Sequence, residues 1–192
     1  MNASDVVVLL IEGDDEIIPA GADICHHYDI LRIDNPVEAA RPLEHHDIGI
    51  VIYDRELPHL SIETFLDRIG SLRYEYQIAM VTDVEPRLEM VQKGVDAFIP
   101  KPLTTEKVEL KIQYLIDRME FSRRRREFWS LLSAREALEN KLPASALETH
   151  EEYTEICKQV NYLSGCLCDS CERLEDETEF VSHLRDIEYA HS

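Results

Sequence analysis

The sequence predicts an α/β chain: a doubly wound, five-stranded parallel sheet followed by a C-terminal α-helical hairpin. Three observations carry this. Short apolar runs without alternation recur along the first hundred residues, as strands covered on both faces require. Segments of helical periodicity lie between them. Beyond residue 119 the pattern becomes helical throughout.

Val6–Ile11 is the first strand, β-branched and apolar along its length. Asp14–Tyr28 should hold the first helix, but Pro19 and Gly21 interrupt it, so that helix is expected to be short or distorted. Asp29–Ile33 is a weaker strand, and Ile48–Tyr53 the main central one. Ile62, Phe65, Leu66 and Ile69 repeat at helix spacing. Ile78–Val81 and Ala97–Ile99 are the last two strands, separated by a helix that Pro86 can start and Gly94 can end. Val108, Ile112, Leu115 and Met119 form a longer stripe. After the basic run Arg123–Arg126, the residues Phe128, Leu131, Ala134, Leu138 and Leu142 keep helical spacing up to Pro143. Tyr153, Ile156, Val160, Leu163 and Leu167 then recur at intervals of three and four, an a/d seam. The expected domains are 1–118, 119–172 (helical) and 173–192, an acidic tail expected to fray.

The 192 residues carry 39 acidic and 20 basic side chains, a net charge of −19, and only 6 of the 20 are lysine. Such a surface repels nucleic acid, and it resembles the surfaces of proteins from salt-loving cells, where dense salt screens the self-repulsion. Residues 120–192 hold 16 acids against 9 bases, so a basic face for DNA is absent and DNA binding is the lesser expectation. No apolar run approaches the ~20 residues that a membrane span needs. The first residues do not read as a signal peptide. A cytoplasmic protein is therefore expected.

The carboxyl ends of the strands are where this architecture places a site. Glu12-Gly13-Asp14-Asp15 follows the first strand, Asp54 the central one, Thr82 the next, and Lys101-Pro102 the last. This set suits phosphoryl transfer to Asp54. A carboxylate can act as nucleophile toward phosphorus. Mg2+ on carboxylates, the Lys101 ammonium and the Thr82 hydroxyl would offset the charge that gathers there.

Val51-Ile52-Tyr53-Asp54-Arg55-Glu56-Leu57-Pro58, Ala79-Met80-Val81-Thr82 and Phe98-Ile99-Pro100-Lys101-Pro102 resemble, in order and spacing, the signature segments of response-regulator receiver domains. The resemblance implies a phosphoacceptor at Asp54 served by a sensor histidine kinase, and a cis Lys101–Pro102 peptide. It implies metal ligation by Glu12, Asp14, Asp54 and the backbone carbonyl of Glu56, and movement of Thr82 and Phe98 on activation. It implies a regulator, not an enzyme. Asp54–Pro58 and Met80–Pro86 are further similar to haloarchaeal receivers that carry a HalX domain, which Phe128–Leu167 resembles over roughly 122–170.

Two positions depart from the receiver pattern. Gly13 stands where a second acid is expected, and Asp83 follows Thr82 where a small residue is expected. A degenerate receiver acting as a phosphorylation-independent interaction module is the alternative, and a DNA-binding transcription regulator is another. Cys166, Cys168 and Cys171, with Cys157 and His150 upstream, could hold a metal or form a redox pair. The apolar seam is too small to be stable alone, so it must pack on the first domain through the helix ending near Met119 or on a second copy of the chain, and pairing of C-terminal helices in a homodimer is the favoured expectation.

Overall fold

In a computed structural model of the chain, residues 6–13, 16–19, 24–34, 38, 40–45, 48–57, 62–69 and 76–189 are described; side chains are not described at 40, 44–45, 62–63, 68 and 171–189. Asp14, Asp15 and Pro58 lie outside the described residues, as does the side chain of Cys171. The chain divides into two compact units, 1–116 and 117–192.

The first unit runs β1 (Val7–Ile11), α1 (Ile24–His27), β2 (Asp29–Ile33), α2 (Ala40–His45), β3 (Ile48–Asp54), α3 (Ile62–Ile69), β4 (Gln77–Thr82), α4 (Leu88–Gln92), β5 (Ala97–Pro100) and the start of α5 (Thr105–Lys141). The sheet is five-stranded and parallel throughout, in the order β2-β1-β3-β4-β5. All seven residues of β3 are buried, as are Val8–Ile11 of β1. That is why these strands read as unbroken apolar runs. Tyr53 and Phe65 stack at 5.3 Å between ring centroids, fixing α3 on the sheet.

The first helix is short, as expected: α1 has four residues, and Ile17 and Ile18 are buried in the stretch before it. The helix α2, which periodicity did not indicate, follows β2. At the end of α4 the turn reverses through Gly94, whose φ of +102° favours a residue without Cβ. Its N–H donates to Val91 O at 3.0 Å, and Val95 N–H donates to Met90 O at 3.1 Å.

The second unit contains the rest of α5, α6 (Ala144–Leu147) and α7 (Glu151–Tyr189). Its helices meet along the predicted seam. Val160 and Leu163 are buried, and Ala134, Leu138 and Ile156 line one hollow. The seam is partly polar. Arg124 Nη1 donates to Ser170 Oγ at 3.4 Å, and Tyr153 Oη donates to Glu139 at 2.9 Å. The acidic tail expected from 173 is instead helix as far as Tyr189. Among the described residues no helix is long and apolar enough to cross a membrane.

Candidate functional site

The carboxyl ends of the three central strands and of β5 bring the expected residues together. Asp54 closes β3 and is 5% exposed; Thr82 closes the neighbouring β4 and is 3% exposed. Lys101 follows β5 and is held by its backbone, whose N–H donates to Thr82 O at 3.0 Å. The Lys101–Pro102 peptide is cis. Arg55 N–H donates to Val81 O at 3.0 Å, so the loop after Asp54 is tied to β4.

Both oxygens of Asp54 are engaged. Oδ1 accepts the Glu56 N–H at 2.9 Å, an Asx-type turn that orients the carboxylate. Oδ2 lies 3.2 Å from Lys101 Nζ. The same ammonium lies 2.5 Å from the Glu56 carboxylate, which is half exposed. Burial pushes the Lys101 ammonium toward deprotonation, but hydrogen bonds to Glu56 and Asp54 outweigh it and leave its pKa above the ordinary lysine value. Thr82 Oγ1 accepts the Val84 N–H at 3.1 Å and turns its proton toward Val84 O at 3.4 Å. Phe98 is half-buried against the core.

Glu12 does something the sequence did not disclose. It is 5% exposed. Its Oε2 accepts the Ile17 N–H at 2.6 Å, and its Oε1 accepts a charge-assisted bond from Arg32 Nη1. Arg32 Nη2 also donates to Ile18 O at 2.6 Å. The pair thus pins the 16–19 segment to β2. The signal for it was Arg32 itself, the one charged residue among Ile30, Leu31 and Ile33. The space in front of Gly13 is also taken, because a Cβ there would come within 3.2 Å of Leu57 Cδ2.

The described part of this rim does not fit a Mg2+ site. Asp54 already faces an ammonium and Glu12 a guanidinium, and Gly13 offers no donor; Asp14 lies outside the described residues. Among the described residues no group of three His, Cys, Asp or Glu side chains could hold a metal ion. The same holds for the cysteines. In the unbroken helix α7, Cys166 is half-buried and Cys168 exposed, and residues two apart on a helix do not face each other.

Residues 117–184 match the HalX domain family. The first unit superposes on receiver domains of known structure. One is the CheY-like response regulator receiver domain protein of Methanospirillum hungatei, with a TM-score of 0.53, 24% identity, 61% of this chain and 98% of that chain covered. Another is the receiver domain of the response regulator TorR, with a TM-score of 0.51, 16% identity, and 59% and 98% covered. The chain joins a fold shared with receiver domains to a segment that matches the HalX domain family. A Haloferax volcanii protein described as a putative transcriptional regulator is 26% identical over 145 residues, 73% of this chain. The chain spans only 24% of the length of that relative.

Proposed function

We propose that the chain is a response regulator that accepts a phosphoryl group on Asp54 from a sensor histidine kinase and signals through its HalX unit in the cytoplasm. The observation that carries this is the juxtaposition of a buried, oriented carboxylate at the end of β3 with an ammonium 3.2 Å away and a hydroxyl on the adjacent strand. An Asp54 oxygen attacks phosphorus while the bond to the donor atom breaks, and the leaving group departs with that electron pair. Lys101 supplies positive charge to the incoming phosphoryl oxygens. Thr82, by giving up Val84, can donate to another, and Phe98 on β5 can follow it. Mg2+ is the cation expected for this chemistry, and it would offset the phosphoryl charge, but the described residues do not build its site. Self-association of two copies through C-terminal helices is the output we infer, since the seam buries few side chains among those described and leaves Trp129 and Tyr162 exposed.

The test is mass spectrometry of the intact chain after acetyl phosphate in Mg2+-containing buffer. One added phosphoryl group is expected, and none in Asp54→Asn. Equal labelling of that variant would sink the assignment. A second reading, DNA-binding regulation, is favoured by the description of the Haloferax volcanii relative and opposed by the acidic C-terminal unit. A gel-shift at matched salt separates the two.

A further inference from the structure

We propose that the Glu56 side chain is a gate on the phosphoacceptor: its carboxylate occupies the Lys101 ammonium and must leave before that ammonium can receive a phosphoryl group. The inference rests on the reading of Asp54 as acceptor. Three observations carry it.

First, Lys101 is shared. Its Nζ lies within ion-pair distance of both Asp54 and Glu56, so an acid with no part in the attack also holds it. Second, Lys101 is the described cation next to Asp54, because Arg32 is committed to Glu12 and Ile18. Phosphorylation turns the Asp54 carboxylate into an acyl phosphate of about two negative charges, facing an ammonium that the Glu56 carboxylate already holds. The ammonium must therefore turn from Glu56 to the phosphoryl oxygens, or one anion goes uncompensated in a site where Asp54 is nearly buried. Third, the Glu56 side chain is free to leave. It is 54% exposed, whereas its backbone N–H stays on Asp54 Oδ1, so release of the carboxylate does not disturb the acceptor's orientation.

The Lys101–Glu56 contact breaks, an Asp54 oxygen forms its bond to phosphorus, the donor's bond to phosphorus breaks, and the ammonium moves to the new phosphoryl oxygens while the Glu56 carboxylate is solvated by water. No proton changes hands. Because the Glu56 end of the broken pair is half exposed, salt screens it in part. The gate therefore loosens as ionic strength rises.

The experiment uses the full chain and Glu56→Gln, which keeps size and backbone. Two quantities are read: the rate of Asp54 labelling by acetyl phosphate in dilute buffer and in molar KCl, and the rate at which Lys101 is acetylated by an N-hydroxysuccinimide ester relative to the exposed Lys158. In dilute buffer, Glu56→Gln is expected to free Lys101 for acetylation and to label roughly two- to fivefold faster, the range spanned by an exposed ion pair. In molar KCl the native chain should close that gap. Equal rates for the two chains in dilute buffer, with or without a freed Lys101, overturn the gate while leaving Asp54 as acceptor. Absence of labelling in both chains, or its persistence in Asp54→Asn, overturns the acceptor reading, and the gate with it.

Discussion

The two units secure themselves by different means. In the first unit, β3 is buried along all seven residues and β1 along Val8–Ile11, and the large side chains Tyr53 and Phe65 stack on each other. In the second unit, the buried residues among those described are Val160, Leu163 and Ser170, and the last of these is polar. The seam alternates apolar contacts with polar layers at Arg124–Ser170 and Tyr153–Glu139. The first unit draws its stability from area removed from water, which depends little on salt. The second draws a larger share from charged and hydrogen-bonded contacts, each worth little at an exposed site. Packing therefore specifies the sheet, whereas pairing specifies the register of the hairpin.

Truncating Phe65 to alanine tests the contrast where it is sharpest. The residue is 1% exposed and stacked on Tyr53, so Phe65→Ala should cost about 3–5 kcal/mol in denaturant unfolding. A loss below ~1 kcal/mol would show that the sheet is less well packed than its burial indicates. Leu163→Ala in the hairpin should cost less, about 2 kcal/mol, the low end for such truncations, because a thin seam can collapse around the missing atoms. If it equalled the Phe65 loss, the two units would not differ as described. Arg124→Met should change stability by under ~1 kcal/mol and make it less dependent on KCl. A larger loss would mean that Arg124 and Ser170 do more than set register. The smallest effect concerns metal. Exchanging Mg2+ for EDTA should leave the unfolding midpoint of the first unit where it is, since a ligand stabilises only in proportion to its occupancy. A clear rise with Mg2+ would mean that residues 14–15 supply the donors that Gly13 lacks.

The sheet was legible because each buried strand announces itself in consecutive residues: Val7–Ile11 and Ile48–Asp54 need no partner to be recognised. The short α1 was legible from Pro19 and Gly21, and the seam from spacings of three and four. What stayed hidden are pairings across the sequence. Glu12 meets Arg32 twenty residues on, and Lys101 meets Glu56 across forty-five. Neither spacing has a periodic signature, so Glu12 reads from sequence as a metal ligand and Glu56 as a backbone carbonyl. The acidic residues past 172 conceal the continuation of α7 for a similar reason, because charge speaks to solvation and not to backbone geometry.

Gly94 has a consequence for heredity. Nothing lies within 4 Å of where its side chain would begin, so the space would admit any residue; the backbone, at φ +102°, would not. Every single-base change in a glycine codon is either silent, a stop, or the introduction of a Cβ. Each replacement would strain the turn by roughly 1–2 kcal/mol, least for aspartate and most for β-branched valine. Aspartate, arginine and valine would thus be penalised in rising order at this position, and every single-base exit from glycine carries some cost.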